Sequence, residues 1–289
     1  MKKQARIIAV IGEKGGVNKT TATITLAAAL AKKGAKTLVI DFDPSQGNAT
    51  YGLISKIWDG PTHTKGICSA IIEGTPLDEV TYSTGRENLH IIPSEKFDSQ
   101  KRKYSVETAI AMMSPIEGLR SLSSLIEKSS IRDEFDFVLI DNGPTSSMAT
   151  LAAINSSDYF LVACVAASFS IDSIESTIAS AMQVKSLNPK IKPLGFFMSS
   201  LDKRSADAKI AIEKLEDYSK LSGVYFFKSK IPVVEKMKFL PEKTKTILEV
   251  TKPTERGHKE YIELSNEILK RVIQLETDST KTSPRQAEL

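Results

Sequence analysis

The segment Gly12-Glu13-Lys14-Gly15-Gly16-Val17-Asn18-Lys19-Thr20-Thr21 constrains this chain more than any other. It follows an apolar run, residues 6–11, that reads as a buried strand. It precedes an Ala-rich stretch, residues 20–33, that reads as a helix with Gly34 in the C′ position beyond its end. A glycine-rich loop in that setting turns its backbone N–H groups inward around a phosphate, and the helix N-terminus adds positive potential. Lys19 is then placed to reach the β- and γ-phosphates of a nucleotide. The Thr20 hydroxyl is placed to bind Mg2+, which takes few protein ligands and keeps its waters.

The remaining apolar runs agree with such a site. Residues 37–40, 89–92, 135–140, 159–165 and 194–198 read as strands, and 224–227 as a further short one. They alternate with helical patterns, the signature of a parallel sheet with crossover helices. Their continuous β-branched and aromatic character fits strands covered on both faces. The expected architecture is a single α/β P-loop domain, a mostly parallel twisted sheet with helices on both faces. It spans residues 1–275 and ends in an amphipathic helix over 261–275, with Tyr261, Leu264, Ile268 and Val272 on one stripe. Residues 276–289 are polar and breaker-rich and read as a disordered tail. The stretches 52–88 and 95–134 are the least legible.

The simple pattern G-x-x-x-x-G-K-[ST] fails twice, at Glu13 and at Asn18. Lys14-Gly15-Gly16-Val17-x-Lys19-Thr20 instead resembles the deviant Walker A motif of the ParA/MinD family of ATPases. The resemblance implies that Lys14 reaches across a dimer to the nucleotide of the other subunit. It assigns Gly15, Gly16, Val17, Asn18, Lys19, Thr20 and Thr21 to the nucleotide, with ATP and Mg2+ as cofactors. Glycine is usual at position 18. Asn is the non-glycine residue that best tolerates a left-handed backbone, so Asn18 should preserve the loop, with weakened binding or slowed hydrolysis as the consequence.

Two further segments resemble the same family. Residues 38–50, with Asp41-Phe42-Asp43-Pro44-Ser45-Gln46-Gly47-Asn48, look like its second motif with Ser45 inserted. The resemblance implies that Asp43 orients the hydrolytic water and that Asp41 holds the water shell of the metal. Residues 135–141 form an apolar run ending in Asp141, the Walker B pattern, which implies Mg2+ coordination through water. Asn142 and Gly143 depart from the usual residues of the switch loop that follows. Each segment alone also reads as an ordinary strand end or Asx-turn; their order and spacing make the signal.

Towards the C-terminus, Asp202-x-Arg204 after the sixth strand and Ile231-Pro232 resemble family segments beside the nucleotide base. Carboxyl ends of strands are also where an open α/β sheet places its ligand. Charge is uneven. The chain carries 39 Lys+Arg against 35 Asp+Glu, a net +4, but residues 203–259 alone carry 14 against 8. The densest part holds Lys220, Lys228, Lys230, Lys236, Lys238, Lys243 and Lys245. Such a stretch suits salt-sensitive, sequence-independent contact with DNA phosphates, although a solvated lysine face has the same composition. The resemblance points to DNA through Arg204, Lys236 and Lys238.

Composition excludes other classes. With 41% hydrophobic and 26% charged residues the chain is neither a fibre nor wholly disordered. Cys68 and Cys164 are too few and too far apart for a disulfide framework or a zinc site, and fit a reducing, cytosolic compartment. No apolar run approaches the ~18 residues needed to cross a bilayer. The loop begins at Gly12, so no helix-turn-helix domain is expected before it, and the early apolar run is not read as a signal peptide. The resemblance therefore implies a ParA-type partition ATPase of the cytoplasm and nucleoid. It would be a homodimer with ATP, would bind nonspecific DNA, and would be reset by a ParB-like centromere- or cargo-bound partner that stimulates slow hydrolysis. The alternatives are a membrane-surface division regulator like MinD and a nucleotide-dependent scaffold with scant turnover.

Overall fold

The computed structural model describes residues 4–12, 16–43, 48–58, 65–94, 105–143, 147–165, 171–202, 206–235 and 244–282. The chain opens with β1 (Arg6–Ile11), α1 (Lys19–Lys32), β2 (Thr37–Phe42), α2 (Asn48–Trp58) and α3 (Ile67–Glu73). The hairpin β3 (Tyr82–Arg86) and β4 (Leu89–Ile92) follows, then α4 (Val106–Ala111), α5 (Pro115–Glu127) and α6 (Ile131–Glu134). Next come β5 (Phe137–Asn142), α7 (Met148–Asn155), β6 (Tyr159–Val165), α8 (Ile171–Met182), β7 (Lys192–Ser199) and α9 (Ala206–Ser222). The short α10 (Ile247–Val250) and the long α11 (His258–Thr282) close the described chain.

The sheet runs β3-β4-β2-β5-β1-β6-β7, parallel throughout except for the β3–β4 pair. β1 lies between β5 and β6, so the chain leaves it first to one side and later to the other. That reversal opens a crevice at the carboxyl ends of the strands. Every position of β1 but Arg6 is buried, as are all of β2 and β5. One face packs on α1, α10 and α11, with Ile8, Val39 and Leu139 against Leu26, Leu30, Tyr261 and Leu264. The other packs on α3, α4, α5 and α7 through Ile7, Ile40 and Val138, and on α8 and α9 through Phe160 and Phe196.

Gly34 sits at φ +87 just past the end of α1, the left-handed C′ position its place in the sequence predicts. The stripe Tyr261, Leu264, Ile268 and Val272 is buried. Among the described residues no helix is long and apolar enough to cross a membrane.

Three expectations need correction. Residues 224–227 do not form a sheet strand; only an isolated bridge joins Phe226 to Phe196. Gly195 permits that approach, since a Cβ there would lie 2.3 Å from the Tyr225 carbonyl oxygen, and its φ is +141. The hairpin strand β3 was not anticipated; its residues alternate between half-buried and exposed and carry no apolar run. Residues 276–282, expected in a disordered tail, are helical, because α11 continues to Thr282. Glu276 accepts two hydrogen bonds from the Arg6 guanidinium, each 2.7 Å, and Lys192 donates to Ser279. These contacts tie the last turns of α11 to the starts of β1 and β7. Residues 283–289 lie outside the described residues.

Candidate functional site

The loop between β1 and α1 is built on backbone that few residues tolerate. Gly16 has φ +81, and Asn18 sits in the left-handed region at φ 59, ψ 33 as the residue capping α1. Asn18 thus occupies the conformation its identity suggests. A Cβ on Gly12 would meet the Ala163 carbonyl oxygen and a Val17 methyl at 2.8 Å each, so this close passage requires glycine. The end of β7 holds the loop from outside. The Ser199 hydroxyl donates to the Val17 carbonyl at 2.8 Å, and the Asn18 carboxamide donates to Ser200. Replacing Asn18 with Ala should cost roughly 1 kcal/mol from the left-handed backbone alone, and Gly should avoid that cost. Denaturant midpoints of the two variants measure the difference.

Lys19 opens α1 and is buried, with its pKa lowered by desolvation and partly restored by Asp141 and Asp43. Asp41 and Asp141 are register partners at the ends of β2 and β5 and are both fully buried. Asp41 accepts from the Thr50 N–H at 2.7 Å and the Thr50 hydroxyl at 2.6 Å. Thr50 in turn accepts from the Ser94 N–H at 2.9 Å. Asp141 Oδ1 lies 3.2 Å from the Thr23 hydroxyl, while its Oδ2 is buried and has no hydrogen-bond partner among the described residues. Burial raises the pKa of both carboxylates well above the ordinary range. Asp41 adds to the rise for Asp141, whereas the Thr20 hydroxyl and Lys19 oppose it. For Asp41 the Thr50 bonds oppose the rise. Asp43, just past the end of β2, is buried, and its N–H lies 3.4 Å from Asp41 Oδ1.

The structure therefore brings Gly16, Val17, Asn18, Lys19, Thr20, Asp41, Asp43 and Asp141 to one end of the sheet, with Thr21 on the first turn of α1. Ile231 and Pro232 stand beside the carboxyl end of β7. The Leu201 N–H donates to the Ile231 carbonyl and the Ile231 N–H to the Met198 carbonyl, both at 2.9 Å. Lys14, Gly15, Arg204, Lys236 and Lys238 lie outside the described residues. One lysine of the basic stretch is not on an open face. The Lys230 ammonium folds back over the Phe226 ring, 3.5 Å from its centroid. The motifs assign no role to Thr23, Thr50, Ser199 and Ser200, which brace the site.

The donor set suits a metal–nucleotide pair. An unpartnered buried carboxylate oxygen, a neighbouring acid with raised pKa and a buried lysine surround a helix N-terminus, so a cation and an anion would each relieve a local charge. Among the described residues no three His, Cys, Asp or Glu side chains form a cage that could hold a metal. Mg2+ held by one hydroxyl, phosphate oxygens and waters needs none.

This arrangement, a phosphate loop at the switch point of a parallel sheet with acids on the neighbouring strands, defines a P-loop nucleotide-binding fold. The model of an AAA domain family matches residues 5–193, so the chain belongs to that family, and within it to the ParA/MinD-type ATPases. The chromosome-partitioning ATPase Soj of Thermus thermophilus is 29% identical over 274 residues, 94% of this chain and 98% of that one. An uncharacterized protein of Methanocaldococcus jannaschii is 30% identical over 220 residues, 74% of this chain and 80% of the other. Among solved structures, the cell division ATPase MinD of Pyrococcus furiosus superposes with a TM-score of 0.71 at 24% identity, covering 92% of this chain and 99% of that one. Cobyrinic acid a,c-diamide synthase of Mycobacterium smegmatis, with bound ADP and magnesium, gives 0.72 at 19% identity, covering 93% and 96%. Two such different activities on one fold leave function to be argued from the site.

Proposed function

We propose that the chain is a DNA-partition ATPase that binds ATP with Mg2+, dimerises on it, holds nonspecific DNA in that state and is released by partner-stimulated hydrolysis. The observation that carries this reading is the buried Lys19 beside Asp43 and Asp141 at the mouth of the phosphate loop. Lys19 and the loop N–H groups would hold the β- and γ-phosphates, and the Thr20 hydroxyl would hold the metal directly. Asp41 and Asp141 would fix its waters. Bound Mg2+ neutralises charge on the phosphate oxygens. Asp43 would orient the attacking water, and Lys14 of each subunit would contact the opposite nucleotide. Ile231 and Pro232 would flank the base.

The partition ATPase Soj among the relatives and the basic excess of residues 203–259 favour DNA as the surface on which the dimer acts. A membrane-surface role through the last helix is disfavoured by the burial of its apolar stripe. The test is DNA binding with and without ATP·Mg2+ at several salt concentrations. Lys236→Glu should lower DNA affinity and flatten its salt dependence while leaving ATP affinity intact. Lys14→Ala should lose both the dimer and DNA binding. DNA binding indifferent to ATP and to both substitutions would contradict the proposal.

A further inference from the structure

We propose that Lys230 is a positioning residue whose ammonium braces the 227–230 turn and so fixes the wall that selects the nucleobase. The inference rests on the ATP reading of the site. Lys230 Nζ donates to the Phe227 carbonyl at 2.6 Å and lies 3.3 Å from the Lys228 carbonyl. Its remaining direction faces the Phe226 ring, which stacks on Phe196 of β7 at 4.8 Å and 11°. The same turn is gripped from its other side. Glu267 of α11 accepts from the Lys228 N–H at 3.1 Å and the Ser229 N–H at 2.8 Å. One cation takes the carbonyls and one anion takes the N–H groups, so the turn has little freedom left.

The segment that leaves this turn runs beside the carboxyl end of β7. The Ile231 N–H and carbonyl are both bonded to the β7 region, and the Val233 N–H donates to the Leu201 carbonyl at 3.2 Å. Next to Leu201, Ser199 and Ser200 hold Val17 and Asn18 of the phosphate loop. The phosphate end is thus attached to Ser199 and Ser200, and the 231–233 wall to Met198 and Leu201 on either side of them. A group bound through phosphates at the loop meets that wall with its other end, where a base lies. A wall fixed to within a few tenths of an ångström discriminates bases by hydrogen-bonding edge; a loosened one does not. The exposed position of the neighbouring Lys228, by contrast, is that of a solvated charge.

The groups facing the Lys230 ammonium are Glu216 of α9, Glu267 of α11 and the Cys164 thiol of β6. Desolvation lowers the Lys230 pKa to about 8 against the two carboxylates, which raise it. Cys164 is pushed up to about 12 by burial and stays neutral alongside. The brace should therefore weaken as pH rises through 8.

The experiment measures the affinity of the full chain for ATP, GTP and inorganic tripolyphosphate, each with Mg2+, from pH 6.5 to 9.5. In the unmodified chain the ATP-over-GTP preference should fall above pH 8. Lys230→Arg keeps a cation over the ring and should hold the preference flat with pH. Lys230→Met should lose about five- to tenfold in ATP affinity and most of the preference, with tripolyphosphate binding unchanged, which a general loosening of the fold would not leave intact. An ATP-over-GTP ratio insensitive to pH and to both substitutions overturns the proposal, as does an equal loss for tripolyphosphate. Failure of the unmodified chain to bind ATP at all would overturn the ATPase reading instead, and this inference with it.

Discussion

Asp141→Asn is expected to raise the melting temperature of the nucleotide-free protein by about 3–6 °C while abolishing Mg2+-dependent ATP hydrolysis. The physical reason is the crowding of two fully buried carboxylates on adjacent strands, one with an oxygen that no group among the described residues satisfies. A neutral amide of the same shape removes the like-charge repulsion and the cost of burying charge, worth roughly 1–2 kcal/mol, and each kcal/mol moves the midpoint of a chain this size by about 2–4 °C. The pH dependence follows with a definite sign. Both acids have raised folded-state pKa values, so between the ordinary carboxylate range and neutral pH the folded state binds more protons than the unfolded one. Stability then falls as pH rises through that window. Thermal melts from pH 4.5 to 8 should slope downward in the nucleotide-free wild type and flatten in Asp141→Asn. An unchanged or lowered melting temperature in the variant, with the same slope, would mean that the pair is not strained. A raised melting temperature with hydrolysis lost is the usual trade between stability and activity.

The second large effect lies at Tyr261. Its ring is fully buried in the core cluster that also holds Leu26, Leu30 and Ile247. Its hydroxyl is also buried and has no partner among the described residues, and burial raises its pKa. Tyr261→Ala should cost about 3–5 kcal/mol through the lost aromatic surface and the cavity left behind. Tyr261→Phe should be neutral or stabilising by up to about 1 kcal/mol, because it removes an oxygen that gained nothing on folding. Urea midpoints at constant m-value separate the two. A Phe variant destabilised by more than 1 kcal/mol would mean that the hydroxyl makes a bond after all.

The parts of the fold that could be read in advance are those where one strong local signal decides the outcome. β1, β4 and β6 carry continuous apolar runs because both of their faces are covered, and their expected bounds match the structure. Asn18 was legible because the left-handed region admits so few side chains. β3 was not, since an edge strand with one solvated side needs no apolar run. Residues 276–282 read as tail because their composition is polar; tertiary bonds from Arg6 and Lys192 keep them helical, and nothing local announces those bonds. Within the site, the acids at strand ends were visible as motifs. The braces Thr23, Thr50 and Ser199 were not, because a hydroxyl in a helix or strand has many uses. Lys230 was misplaced for a related reason. Counting charges along the chain treats every lysine as solvated, and only the packed structure sets this one over an aromatic ring.

The most direct test of the central claim is ATP binding by the purified chain in the presence of Mg2+, followed by equilibrium dialysis, with Lys19→Ala as the comparison. One nucleotide per chain is expected for the wild type, and at least a roughly hundredfold loss for Lys19→Ala, the scale of removing a charge-assisted contact from a buried site. Nucleotide binding of equal strength in the two proteins would contradict it.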